Sequence, residues 1–190
     1  MLQRFDIATL PAVPWKNGGG STREIVRRPE GAGMDAFDWR VSIATIAQAG
    51  PFSAFAGVER SIMLLEGDGV LLQEQEQGVQ HRLDRPLVPF VFSGDAALDC
   101  TLLGGISTDF NLMLRRSRLR GALQVLRATQ TLPSAEHGLL LCLCGRWQAN
   151  AERLDSGQGL WWDGSPRAWN LQPQAPDAAV AWVRLQPFVA

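Results

Sequence analysis

Lysine is almost missing from this 190-residue chain: Lys16 stands alone in a basic set that is otherwise arginine, with only two histidines, His81 and His137. Cysteine is scarce as well. Three cysteines are an odd number without framework spacing, which argues against a disulfide-stapled secreted scaffold and fits a reducing cytosol. The opening MLQRFDIATLPAVPW holds Asp6 and two prolines and lacks the basic-then-apolar layout of a signal peptide, so the expected location is cytoplasmic. No apolar run approaches the ~20 residues of a membrane-spanning helix; GLLLCLCG is far too short. Excess charge of one sign is missing too. At a net charge of −1 the chain offers no bulk electrostatic reason to bind nucleic acid or an anionic membrane.

Chemical motifs are equally thin. The sequence has no His-x-His, so a histidine-rich metal site is not expected, and no cofactor is either. Cys142-x-Cys144 has no second cysteine pair to complete a zinc site and reads as small apolar residues of a strand. A Gly-x-Ser-x-Gly elbow is absent, and His81 and His137 read as exposed loop residues. Glu24, Glu59, Glu66 and Asp109 are the carboxylates that could serve as acid or base. Glu66 reads better as part of a hairpin turn at Gly67-Asp68-Gly69, and Glu24 as an ion-pair partner of Arg23 or Arg40. No catalytic residue is assigned.

What is present is strand pattern. A 46% hydrophobic and 19% charged composition is that of a folded chain. Short apolar or alternating runs such as DWRVSIATI, RSIMLLEGDGVLL, DFNLMLRR, LLLCLC and VAWVRL are punctuated by Gly, Pro, Asp and Ser, the signature of an all-β sandwich or barrel. SRLRGALQVLRATQ carries some helical periodicity, but Gly121 interrupts it and a strand is expected over Ala122–Arg127. Short helical turns are expected at SAEHG and TDF. HRLDRPLVPFVFSGD (His81–Asp95) echoes ERLDSGQGLWWDG (Glu152–Gly164), as two barrel halves of similar plan would. With TQTLPSAEHG as the linker, the division falls between residues 1–128 and 129–190. The seven tryptophans read as core, except Trp15, which abuts a glycine loop and could wall a ligand.

That loop, VPWKNGGGSTREIV, holds the candidate site. Gly18-Gly19-Gly20 removes side-chain bulk and permits a nest of converging amides. It is no P-loop: Gly-Lys-Ser/Thr is absent, and the β-branched segment that follows ends at Pro29 without a helix. The plainer reading is a tight bend before the first strand. Alternation puts Arg40 and Ser42 on one face of their strand, and Asn111 and Met113 with Asp109 on one face of theirs. Were these faces to point inward, a barrel would hold a polar pocket with an apolar wall and with Arg60 near its mouth.

Four segments together, PWKNGGGSTREI, DWRVSIATIAQAGPFSAFAGVERSIMLLEGDGVLL, PFVFSGD and DFNLMLRR, resemble the HutD/Ves family from Pro14 to Arg116; the second half fits loosely. The resemblance implies a cupin-like double-stranded β-helix with two barrel halves in one chain, a bicupin. It also implies a small cytosolic protein without the usual cupin metal ligands. The resemblance further implies a tie to the histidine-utilisation genes of pseudomonads and restraint of their expression through binding of an intermediate such as urocanate or formylglutamate, with no settled enzymatic activity. Carried onto this chain, the ligand-binding set is Trp15, Lys16, Asn17, Gly18, Gly19, Thr22, Arg23, Arg40, Ser42, Arg60, Asn111 and Met113. Arg40 or Arg60 would grip a carboxylate in a two-pronged bond, Lys16 would add a point charge, and Trp15 and Met113 would pack the ligand body. The expected partner is a small carboxylate metabolite, with no nucleic acid and no membrane, and the second half is expected to be structural or a homodimer surface. The competing readings are an isomerase or hydrolase of a small organic acid and a protein-docking scaffold.

Overall fold

The computed structural model describes residues 1–74 and 80–188. Regular structure among them is β strand apart from a 3-10 turn at Ile7–Thr9, and no helix is long and apolar enough to cross a membrane. The chain starts with β1 (Leu2–Asp6) and divides into two compact units, Pro11–Arg118 and Met1–Leu10 with Leu119–Ala190.

The Pro11–Arg118 unit contains β2 (Val13–Pro14), β3 (Gly20–Arg28), β4 (Trp39–Ile46), β5 (Gly50–Phe52), β6 (Val58–Glu66), β7 (Val70–Glu74), β8 (Gln80–Leu83), β9 (Phe90–Ser93), β10 (Leu98–Leu102) and β11 (Ser107–Arg115). They form two antiparallel sheets, ordered β2-β3-β4-β11-β6-β9 and β5-β10-β7-β8. One core cluster joins Ile46, Ile62 and Leu64 of the first sheet to Val70, Leu72, Leu83, Leu98 and Cys100 of the second.

The other unit adds to β1 the strands β12 (Leu119–Leu126), β13 (Gln130–Ala135), β14 (His137–Cys144), β15 (Arg146–Ala149), β16 (Glu152–Asp155), β17 (Gln158–Trp162), β18 (Arg167–Pro173) and β19 (Ala179–Pro187). Its sheets run β1-β17-β14-β19-β12 and β13-β18-β15-β16. The order β12-β19-β14-β17 repeats β4-β11-β6-β9, and β13-β18-β15-β16 repeats β5-β10-β7-β8. Two cupin-like barrels of eight equivalent strands therefore make a bicupin. The sequence echo falls on equivalent pairs, β8–β9 and β16–β17. Each barrel carries its own additions: β3 and β2 beside β4 in one, β1 beside β17 in the other.

Several boundaries differ from the sequence reading. β1 pairs with β17 and β12 with β19, so the N-terminal strand and residues 119–128 group with the C-terminal barrel instead of residues 1–128 forming one half. The segment expected to link the halves is mostly β13, held by β18 and anchored by the buried Leu132 and Ala135. Its Pro133 sits at a register irregularity of an edge strand, where a missing N–H costs nothing in the ladder. No helical turn forms at SAEHG or TDF: SAEHG is the end of β13, a bend at Glu136 and the start of β14, and TDF lies within β11, because the ladders on neighbouring strands outweigh the local preference. The strand expected over Ala122–Arg127 is there as β12. The Gly67-Asp68-Gly69 turn is tight but closes no hairpin: it carries the chain from β6 in one sheet to β7 in the other.

Candidate functional site: a polar cavity in the first barrel

In the Pro11–Arg118 unit, β11 lies between β4 and β6, and their registers build three rungs. Met113 pairs with Arg40 and Arg60, Asn111 with Ser42 and Ile62, and Asp109 with Ala44 and Leu64. Positions two apart share a face, so the rungs point the same way at ~7 Å spacing. All but Leu64, which belongs to the core below, line a cavity of about 670 Å3. That is within the usual range for a small-molecule site. Trp15, Lys16 and Asn17 close one side, and Phe52, Ser53, Phe55 and Met34 another.

Arg60 is 5% exposed. Its guanidinium carbon lies 5.1 Å from the ring centre of Phe52, 5.7 Å from Phe55 and 5.0 Å from Phe92, and Nη1 donates a long 3.4 Å bond to the Ser53 carbonyl. Among the described residues Nε has no hydrogen-bond partner. Three aromatic faces offset part of the cost of burying the charge, by about 0.5–2 kcal/mol each. Burial first, and the Arg40 charge second, bring its pKa down to about 10, which still leaves a full cation at neutral pH. Among the described residues no carboxylate forms an ion pair with it.

Arg40 is different. Its Nε donates to Glu24 Oε2 at 2.6 Å, and Nη1 approaches Met113 Sδ at 3.7 Å. Glu24 also holds Arg27 Nε at 3.2 Å. The partner of Glu24 is thus Arg40 with Arg27, not Arg23, and Arg40 keeps only part of its charge for a ligand.

At the inner rung Asp109 is fully buried, and among the described residues neither carboxylate oxygen has a hydrogen-bond partner; nor has Asn111 Oδ1. Burial alone pushes the Asp109 carboxyl up to about 7. Orphaned buried acceptors are rare in folded proteins and cost about 1–3 kcal/mol each, more when charged.

The glycine turn has a task other than gripping an anion. The Gly18 amide donates to the Trp15 carbonyl at 3.0 Å, and the Gly19 amide to Asn17 Oδ1 at 3.0 Å. Amides spent inside the loop do not form the expected nest, and neither residue lines the cavity. Gly20 is where glycine is required: a Cβ there would run into the Thr45 carbonyl of β4 and meet the Trp15 ring at 3.0 Å. The turn lets β2 fold back on β3 so that Trp15 lies over the cavity, fixed by its Nε1 donating to Thr22 Oγ1 at 2.8 Å.

Of the twelve residues singled out in the sequence, Trp15, Lys16, Asn17, Thr22, Arg40, Ser42, Arg60, Asn111 and Met113 line the cavity. Gly18 and Gly19 serve the turn, and Arg23 alternates away from Thr22 along β3. Sequence reasoning missed the aromatic cage of Arg60. The phenylalanines of GPFSAF and FVFSG, flanking the arginine in sequence, were its available signal. Asp109 was weighed only as an acid or base, although alternation put it on the face of Asn111 and Met113. The histidines are not loop residues: His81 on β8 stacks on Phe90 at 3.4 Å between ring centres, and His137 on β14 holds Asp163 at 2.5 Å. Among the described residues no three His, Cys, Asp or Glu side chains converge in a way that could hold a metal ion.

The HutD family profile matches residues 7–181, nearly the whole chain. The chain belongs to the HutD family. An uncharacterised 21.2 kDa protein of the hutC 3′ region of Pseudomonas putida is 45% identical over 143 residues, covering 74% of this chain and 72% of that one. Protein Ves of Citrobacter koseri is 41% identical over 175 residues, covering 91% and 90%. The solved structure of HutD from Pseudomonas fluorescens SBW25 (formate condition) superposes with a TM-score of 0.86 at 32% identity and covers 100% of both chains. This HutD-family chain thereby shares the family's association with histidine utilisation.

Proposed function

We propose that the cavity of the Pro11–Arg118 barrel binds a small carboxylate metabolite of histidine breakdown, urocanate or formylglutamate, and that its occupancy modulates histidine utilisation. Arg60 carries this reading. It is a buried guanidinium, caged by three rings, facing a cavity of about 670 Å3 and lacking an anionic partner among the described residues. A ligand carboxylate supplies the missing anion and can take two parallel N–H bonds. Arg40 and Lys16 add positive potential, while Trp15, Phe52 and Met113 flank the apolar body of the guest.

A second reading rests on Asp109, whose carboxyl near neutral pH inside a cavity is what a general base requires. Calorimetry against both acids separates the two. Binding predicts saturable heat and unchanged ligand after incubation; an enzyme predicts product. Arg60→Met keeps the length of the side chain, removes the charge, and is expected to weaken carboxylate binding by about 2–5 kcal/mol. Wild-type affinity in that variant would refute the assignment.

A further inference from the structure

The cavity has two chemically opposite ends. Cationic donors occupy the outer rung, at Arg40 and Arg60; buried acceptors without partners occupy the next two, at Asn111 Oδ1 and both oxygens of Asp109. A plain carboxylate would answer only the first end. The same anion placed deeper would face Asp109, which when ionised is a like charge. What satisfies both ends at once is an acid that also carries a hydrogen on nitrogen, one to two rungs from its carboxylate. A planar five-membered ring joined to an acid by a two-carbon arm has about that reach.

Resting on the carboxylate reading above, we propose that Asp109, supported by Asn111, is a specificity-determining residue that accepts a hydrogen bond from an N–H of the ligand, so that the site prefers acids that carry an N–H to those that do not. The geometry sets the direction: β4 and β6 offer Asp109 only Ala44 and Leu64 at its rung, and among the described residues no group donates to it. The titratable groups around it are Cys100 on β10, whose thiol is pushed up to about 12, and, along the cavity, Arg60 on β6, Arg40 on β4 and Lys16 on the β2–β3 turn. None is bonded to it. Ionised Asp109 accepts; protonated Asp109 can instead donate. The preference for an N–H ligand must therefore grow as pH rises through about 7.

Two isosteric probes test this, 3-(pyrrol-2-yl)acrylate and 3-(furan-2-yl)acrylate, which differ in a ring N–H against a ring oxygen and titrate nowhere between pH 6 and 8. Calorimetry on the full chain is expected to give at least tenfold tighter binding of the pyrrole acid at pH 8 and a smaller ratio at pH 6. In Asp109→Leu the ratio is expected to fall to near one while the furan acid still binds. In Asp109→Asn, which keeps an acceptor without a charge, a preference remains but no longer varies with pH. Equal affinities of the two probes for the wild type, or a preference unchanged in Asp109→Leu, would overturn the assignment of Asp109 and leave the carboxylate reading standing. Binding of neither probe, nor of formylglutamate, would overturn both.

Discussion

Where the first barrel has Arg60, the second has Gly138. The hydrogen-bond registers make the equivalence: Phe92 and Phe90 of β9 pair with Arg60 and Ile62 of β6, as Trp162 and Leu160 of β17 pair with Gly138 and Leu140 of β14. On the central strands, Asn111 opposite Ile62 corresponds to Trp182 opposite Leu140, and Asp109 opposite Leu64 to Val180 opposite Cys142. The second barrel has Gly138, Trp182 and Val180 where the first has Arg60, Asn111 and Asp109, although Gln124 stands at the place of Ser42 and Arg184 at that of Met113. Gly138 leaves room for the indole of Trp162, whose ring lies 2.5 Å from where a Cβ would be. That ring packs 5.4 Å from Trp169, and its Nε1 donates to the Ala135 carbonyl at 2.9 Å. One strand plan thus yields a packed core or an open cavity according to a few inward positions.

The comparison breaks most visibly at Trp162. Trp162→Ala removes a fully buried ring from a dry core and is expected to cost about 3–5 kcal/mol in urea denaturation. Arg60→Met, at the equivalent region of the first barrel, is expected to cost little or to stabilise, because it deletes a buried charge that has no ionic partner among the described residues and puts an apolar chain among three phenylalanines. Similar losses from both would mean that Arg60 is structural and that the two barrels differ less than their inward positions suggest.

Asp109 sharpens the same contrast, because its counterpart Val180 has no titration to report. An unfolded aspartate titrates near pH 3.9, and folding raises this one to about 7. Between those values the folded state holds a proton that the unfolded state has released. Stability therefore falls as pH rises from about 4 to about 7, levels off above, and the full loss is on the order of 4 kcal/mol. Asp109→Leu removes this contribution. Urea unfolding at pH 4.5 and pH 8 should show the variant gaining on the wild type at the higher pH. A difference that does not change with pH would mean that the Asp109 carboxyl is not desolvated in the folded chain.

How much of this could be read from the chain alone divides along physical lines. Strands were legible wherever Gly, Pro and Asp punctuate apolar runs, and the repeat surfaced in Arg82-Leu83-Asp84 and Arg153-Leu154-Asp155, which fall on equivalent strands. Segments whose strand state is imposed from a neighbour were not legible. β13, with its Pro-Ser-Ala, is strand because β18 holds it. For the site, alternation put Arg40 with Ser42 and Asn111 with Met113 on inward faces, but it cannot say which hydrogen-bond donors are already spent. Glu24 takes the Arg40 Nε, and the Gly18 and Gly19 amides are consumed within their own turn. Arg60 stays available because its neighbours are rings, and that is a fact of three-dimensional contact. The acceptors at Asp109 and Asn111 stood on the predicted face, yet their lack of partners becomes visible only once the rungs on either side are known.

Lys16 is the smallest expected effect and tests whether the rim of the cavity matters as its floor does. The side chain is exposed at the mouth, so water and salt screen its pull on an incoming acid. Lys16→Met is expected to weaken carboxylate binding by about 1 kcal/mol or less, with most of the loss disappearing between 20 and 300 mM salt. Lys16→Arg, which keeps the charge but not the compact ammonium, should lose less still. The loss in Arg60→Met should instead be nearly independent of salt, since a caged guanidinium lies beyond the reach of counterions. A Lys16→Met loss as large and as salt-insensitive as that of Arg60→Met would require the lysine to fold inward onto the bound acid, making the β2–β3 turn part of the grip and not only the hinge that lays Trp15 in place.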